Sequence, residues 1–281
     1  MLMKIRNALM RFRRMTPARL YRDHARARRL IRDDAALPPQ PPSPRPERLV
    51  VSLTTVPERM DQLGPVLRSL LDQTEPADRI VLARPEVSWR SGKPYPPFAP
   101  AMPGIDVIAA TDQGPATKLL PALLAEPEAA ILVVDDDVIY PADFIAQMLA
   151  WHRRLPRAAI GWRGWKIVEG AHPKDYPHIF ATALAHPEPA DILLGTWGYL
   201  VPPGAFDTSV HDFSGFPPSV RFVDDVWFSG HLARRGVPRL VIPGRGLPIE
   251  TRASGMAALT FGPNSSGTND LEAIAAFRPF W

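Results

Sequence analysis

The chain has 281 residues, of which 46% are hydrophobic and 22% charged, with a formal net charge of +4 and no cysteine. This balance fits a globular protein of one large or two small domains, and it excludes disulfide staples, thiolate zinc sites, iron–sulfur clusters and a cysteine nucleophile. No apolar run reaches the ~18 residues of a membrane-spanning helix, and the arginine-rich start lacks the apolar stretch of a secretory signal peptide.

The charge is unevenly placed. Residues 1–32 carry eleven Lys or Arg and a single acid, Asp23, whereas 28 of the 29 acids follow that segment. A basic arm is thus attached to a mildly acidic body, which argues against nucleic acid as a partner of the body. Within the arm, Leu2, Ile5, Leu9 and Phe12 recur at helical spacing. Thr16 before Pro17 predicts an N-cap that restarts a helix with Leu20, His24, Ala27 and Ile31 on one face. Two main readings are open: an arm that is solvated or packed on a partner, or an interfacial helix on anionic lipid; a nucleic-acid arm is a third, with only Phe12 and Tyr21 as stacking aromatics. The second predicts a cytoplasmic protein held at the inner face of the cell membrane by residues 1–32, with an arm dispensable for chemistry. Leu37 to Pro46 holds six prolines in ten residues, a semi-rigid spacer. The boundaries are therefore a basic amphipathic arm over 1–36, a Pro-rich linker over 37–46 and a folded domain over 47–281.

From Glu47 onward apolar runs alternate with helical patterns. Strands are predicted at Arg48–Thr54, Arg79–Ala83, Ile105–Ala109 and Ala129–Val134. Helices are predicted at Met60–Leu71, Pro115–Leu124 and Ala142–Trp151. The alternation points to an α/β domain with a largely parallel central sheet. Residues 161–218 read as loops with short antiparallel strands at Ile192–Leu194 and Gly198–Val201. A helix over Asp224–Arg235, a strand over Arg239–Ile242 and a short helix near Asp270–Phe277 complete the pattern.

Four constellations could carry chemistry. Asp135-Asp136-Asp137 directly follows a buried strand, and no lysine stands near it in sequence. Three crowded carboxylates call for a divalent cation, Mn²⁺ or Mg²⁺, which in turn grips a diphosphate. The alternative is an acidic turn capping the helix after Pro141. Asp224-Asp225 opens a helix, where an acid can cap the backbone or act as a general base. Asp112-Gln-Gly-Pro-Ala-Thr-Lys118 puts a turn, a hydroxyl and a lysine at a helix N-terminus, suited to phosphate. Thr54-Thr55-Val-Pro-Glu-Arg59 follows the first strand, where a nucleotide base or ribose would rest. Gly195-Thr-Trp197-Gly-Tyr199 adds aromatic faces for sugar.

In this order the motifs resemble GT-A fold, DxD-type glycosyltransferases of the broad family 2-like group, over about residues 47–243. The resemblance implies a Rossmann-like, mostly parallel sheet flanked by helices. It implies a nucleotide-diphosphate sugar donor and a glycan or lipid-linked acceptor. Asp135 and Asp137 match the DxD that holds the metal, and Asp135 and Asp136 stand with Thr54, Thr55, Arg59 and Lys118 on the donor side. Asp225 matches the second acid of the family's Glu-Asp pair and takes the role of base. Asp224, in the Glu position, becomes a cap or an acceptor contact. One base and no protein nucleophile favours inversion. The sequence departs from the family in having no His after His231 and no Gln-x-x-Arg-Trp run. The rival readings are a metal-dependent nucleotidyltransferase, which would carry a Gly-rich basic loop after the first strand, and a silent nucleotide- or carbohydrate-binding module.

Overall fold

The computed structural model describes residues 15–32, 37, 45–98, 101–256, 264 and 266–281. The helix expected over Leu2 to Phe12 and most of the Pro-rich spacer lie outside the described residues.

Continuous apolar runs form the centre of the sheet because both of its faces are covered. Strand β1 (Leu49–Thr54) lies between β2 (Arg79–Pro85) and β4 (Ala130–Val133), parallel to both, and β3 (Asp106–Ala110) extends β2 in parallel. Beyond β4 the order continues through β11 (Tyr199–Val201), β6 (Ala159–Gly161), β12 (Arg239–Val241) and β9 (Glu188–Pro189). Strand β11 runs antiparallel to β4 and β6, and β9 antiparallel to β12. This reversal matters for the site. An antiparallel strand enters from the carboxyl end of its neighbour, so the loop before Tyr199 sits over the end of β4.

Two smaller sheets flank this edge. Strands β7 (Arg163–Trp165), β8 (His178–Phe180) and β10 (Ile192–Leu193) form one, and β5 (Val138–Ile139) pairs with β13 (Ile249–Glu250) in the other. Neither β5 nor β13 stands out in the sequence, since two residues carry no periodicity.

Two predicted helices are broken where proline removes a backbone donor. The segment Met60–Leu71 is a 3₁₀ turn (Pro57–Gln62) followed by the α-helix Gly64–Leu71, which has Pro65 in its first turn. Likewise Pro115–Leu124 resolves into a 3₁₀ turn (Ala116–Lys118) and a helix over Leu120–Ala125 with Pro121 in its first turn. Lys118 therefore ends a short turn and does not open a helix. The helices Phe144–His152, Asp224–Arg234 and Thr268–Ala276 fall near their expected places.

The arm helix α1 (Pro17–Leu30) starts as its N-cap predicts, with the Thr16 hydroxyl accepting from the Arg19 N–H. It is packed on the body and is not a free arm. Ala27 and Leu30 are buried against Ile139. Arg26 donates to the Asp72 carboxylate at 2.7 Å and to the carbonyls of Ser69, Asp72 and Tyr140. Arg19 grips Asp143 through two nitrogens. Arg19, Arg26 and Arg29 are thus paired with acids of the body, Asp143 and Asp72, which sequence-local charge counting does not reveal. The outward face keeps Arg22, Arg28 and Arg32 exposed, beside Tyr21 at 76% and Ile31 at 55% exposure.

Candidate active site

The site is built at the carboxyl edge of β1 and β4, where the ligand crevice of an open α/β sheet lies. Strand β4 ends at buried Val133, and after buried Val134 the chain turns through Asp135, Asp136 and Asp137. The three carboxylates diverge. Asp136 turns inward and is only 8% exposed, accepting from the Thr55 hydroxyl at 2.6 Å and from the Arg59 guanidinium at 2.6 Å. Arg59 also reaches Asp137 at 3.2 Å and donates through Nε to the Met256 carbonyl. Asp135 accepts from the Trp197 N–H at 3.3 Å, and its own N–H donates to the Tyr140 hydroxyl at 2.8 Å.

The fold also brings a lysine that the sequence places far away. Lys118 Nζ lies 2.8 Å from Asp224 Oδ2 and 4.0 Å from Asp135 Oδ1. The expectation that the triplet lacks a neutralising base is therefore corrected: Lys118 and Arg59 both serve it. Nor does the triplet cap a helix, because the N-cap of Phe144–His152 is Asp143. What survives is its position and its divergence, with Asp135 and Asp137 on either side of the pinned Asp136.

Asp224 and Asp225 open their helix without capping it; the N-cap is Val223 and no side chain bonds the first turn. The capping role expected for Asp224 is thus replaced by an ion pair with Lys118. Asp225 Oδ1 accepts from the Gly195 N–H at 2.7 Å. Gly195 is the residue that sequence reasoning undervalued. A Cβ there would stand 2.5 Å from Lys118 Nζ and 3.1 Å from Asp225 Oδ1, so only glycine leaves the cluster closed. The adjacent Trp197 is the single non-glycine at positive φ among the described residues, at 74°. Such a conformation costs about 1–3 kcal/mol, and it is what turns the Trp197 N–H onto Asp135.

Lys118 thus ties together the two acidic constellations, and the electrostatics follow. Burial works against its ammonium, but Asp224, Asp135 and Asp225 outweigh burial and hold its pKa well above the usual lysine value. Burial pushes Asp135 up to about 8, opposed by Lys118 and reinforced by Asp137 and Asp225. Burial and the neighbouring Asp224 push Asp225 up to about 7, against the pull of Lys118. Asp137 is raised by burial and by Asp136, with Arg59 opposing. These are carboxylates short of positive charge.

Two hydroxyls tie the end of β1 to its surroundings. The Thr54 hydroxyl donates to the Ala83 carbonyl at 2.8 Å, and the Ser52 hydroxyl donates to the Lys118 carbonyl at 2.7 Å. Gly114, at φ 67°, approaches the Arg221 carbonyl so closely that a Cβ would meet it at 2.7 Å.

One consequence is measurable as stability. Lys118→Met leaves Asp224 buried without its cation, a loss of about 3–5 kcal/mol for a broken buried pair. Urea unfolding at pH 8 should show this loss. It should shrink at pH 5, where Asp135 and Asp225, raised to about 8 and about 7, carry protons and leave less negative charge around the site. An unchanged midpoint at pH 8 would mean that the lysine does not neutralise the cluster.

Comparison with protein-family models and with curated protein sequences finds no match. Among solved structures, the chain is similar to the mannosyltransferase PcManGT from Pyrobaculum calidifontis, solved in complex with GDP-Man and Mn²⁺. The TM-score is 0.53 at 19% identity, covering 92% of this chain and 71% of that one. It also matches residues 1–349 of TarS from S. aureus, in complex with UDP, with a TM-score of 0.46 at 13% identity over 74% of this chain and 61% of that one. The first likeness, with the sheet order and the flanking helices, establishes a GT-A-like α/β fold.

Proposed function

We propose that the protein is a metal-dependent glycosyltransferase that moves a sugar from a nucleotide-diphosphate sugar to a hydroxyl of a glycan or lipid-linked acceptor. One observation carries the reading: at the carboxyl edge of a GT-A-like sheet, Lys118 pairs with Asp224 at 2.8 Å and lies 4.0 Å from Asp135, so that the charges of Asp135, Asp224 and Asp225 all act on one ammonium. A donor-side acid and an acceptor-side acid thus face one space.

The residues present fit a divalent cation. Among the described residues no three His, Asp or Glu side chains converge into a complete cage. Mg²⁺ and Mn²⁺ are commonly held by one or two carboxylates with phosphate and water completing the shell, and Asp135 and Asp137 supply that pair. Asp135 Oδ1 lies too far from Lys118 for a hydrogen bond, at 4.0 Å, and its raised pKa marks a buried carboxylate that a cation would relieve. One such ion would neutralise charge on the departing diphosphate. Thr55 and Arg59 hold the triplet in place through Asp136, and Thr54 fixes the end of β1 under the nucleoside.

Asp225 is the base. A carboxylate near pKa 7 takes a proton from the acceptor hydroxyl more readily than an ordinary aspartate. Its contact with the Gly195 N–H fixes its orientation, and Asp224 stays engaged with Lys118. Direct displacement by this route inverts the anomeric centre. The exposed basic face of α1 supports a cytoplasmic protein at the inner, anionic face of the cell membrane, and no helix among the described residues is long and apolar enough to cross one. Cosedimentation with phosphatidylserine vesicles should occur at low salt and fade with added salt; no binding at low salt would remove the membrane from the account.

The activity is tested by incubating the protein with a panel of nucleotide sugars and Mn²⁺. Release of nucleoside diphosphate that EDTA abolishes supports transfer. Pyrophosphate release from nucleoside triphosphates would instead identify nucleotidyl transfer.

A further inference from the structure

The loop that follows β2 returns over the carboxyl edge of the sheet. Its far end is tied down by the Tyr95 hydroxyl, which donates to the Thr55 carbonyl at 2.9 Å. Its tip carries Trp89, whose N–H donates to Asp112 Oδ2 at 2.7 Å, while Asp112 Oδ1 accepts from the Gly114 N–H at 2.8 Å. Gly114 lies in turn against the Arg221 carbonyl. Three segments therefore meet at Trp89: its own loop, the turn that leads to Lys118, and the 3₁₀ turn Pro218–Phe222 that leads into Asp224 and Asp225.

Trp89 stays 44% exposed at this junction. The Phe222 ring lies 5.1 Å from it, and the Arg221 guanidinium stands 6.0 Å from the Trp89 ring and 4.8 Å from the Phe213 ring. Arg221 is half-buried, yet it makes no ion pair among the described residues. Asp112, the acid of the junction, has its two oxygens engaged by backbone N–H groups. A guanidinium laid on an aromatic face is already oriented, and its edge matches a carboxylate or a phosphate in two hydrogen bonds. An exposed indole beside it offers a flat apolar face for the C–H face of a sugar ring.

The chain itself bounds the distance to the chemistry. Arg221 precedes Asp225 by four residues, a span of at most about 14 Å for extended chain, so one acceptor molecule can touch both. The hydrogen bonds and ion pairs of Thr54, Asp135 and Asp137 go elsewhere, to Ala83, Trp197 and Arg59. The shelf is thus continuous with the segment that delivers the base.

We infer that Trp89, Phe222 and Arg221 form a shelf for the acceptor, and that the acceptor carries an anionic group, carboxylate or phosphate, on or next to the sugar that stacks on Trp89. The inference rests on the glycosyl-transfer reading and makes it specific about the chemistry of the acceptor.

The test uses the full chain and ligand-observed saturation-transfer NMR with methyl glucuronide, glucose 1-phosphate and the neutral methyl glucoside. At least one anionic sugar should bind about tenfold or more tightly than methyl glucoside, and which of the two does so tells a carboxylate from a phosphate. Arg221→Gln keeps the carbonyl at Gly114 and should erase that preference. Trp89→Ala should weaken binding of all three sugars about tenfold; if this variant melts early without ligand, Arg221→Gln decides alone. The proposal is overturned if neither anionic sugar binds, if methyl glucoside binds equally well, or if Arg221→Gln keeps the preference. Melting shifts with UDP or GDP and Mn²⁺ are recorded in parallel and should be alike in the parent chain and both variants. A nucleotide shift lost in a folded Trp89→Ala would give the shelf to the nucleobase, so that the proposal fails while the transfer reading stands. If the anionic sugars bind as expected and no nucleoside diphosphate shifts the melting, the shelf stands as an anionic-sugar site and the transfer reading fails.

Discussion

Asp225→Asn should lower sugar transfer by about a hundredfold or more while leaving nucleotide binding in place. The change keeps the size of the side chain and its oxygen for the Gly195 N–H, which now sits 2.7 Å from Oδ1. It removes the proton acceptor. An acceptor hydroxyl is a very weak acid, so its proton must move to a positioned base as the new bond forms. The parent enzyme should gain activity as the pH rises through about 7, the value to which burial and Asp224 lift Asp225. That limb should vanish in Asp225→Asn. Stability should move the other way. The folded chain holds the proton on Asp225 more tightly than the unfolded chain, whose aspartate titrates near 3.8. Stability is thus greatest below that pH and declines as the pH rises toward 7. Asp224→Asn, by contrast, removes the charge that pairs with Lys118 and should show first as lost stability. Full turnover in Asp225→Asn, measured as nucleoside diphosphate release with acceptor, would assign the base elsewhere.

Asp137→Ala should abolish metal-dependent nucleotide binding, a loss above the ~10–100-fold typical of changes one layer further from a metal. The fold should survive, since Arg59 keeps its contacts with Asp136 and with the Met256 carbonyl. Asp136→Ala should do the opposite. It cuts the tie of the triplet to Thr55 and Arg59, two groups that belong to the end of β1 and the turn behind it. Calorimetric titration of UDP and GDP in the presence of Mn²⁺ separates the two variants. Unchanged affinity in Asp137→Ala would take Asp137 out of the metal site.

Much of the architecture was legible in the sequence. Strands β1, β2 and β4 are continuous apolar runs because both faces of the sheet are buried, and the Thr16-Pro17 cap marks the start of α1. The acidic triplet at the end of β4 was visible for the same reason, since an apolar run that stops in three carboxylates can stop only at an edge. What the sequence hid was pairing across distance. Lys118 meets Asp224, Arg59 meets Asp136, and Arg26 meets Asp72, contacts between residues that share no local period. The reading of an uncompensated triplet failed on that account, and the packing of α1 on the body was hidden for the same reason. Prolines misled at Pro65 and Pro121, where helical spacing of apolar residues continued through a break in the backbone ladder. Gly195 did leave a signal, as a glycine among aromatics two residues before Trp197. Its meaning required knowing that Lys118 and Asp225 close over it.

The central claim is that Asp135 and Asp137 hold a divalent ion that holds a nucleoside diphosphate. Thermal melting of the full chain with UDP or GDP, with Mn²⁺ or with EDTA, tests it most directly. The account predicts a rise in melting temperature that needs both the diphosphate and Mn²⁺ and that is absent in Asp137→Ala. A rise that persists in EDTA, or no rise with any nucleoside diphosphate, would contradict it.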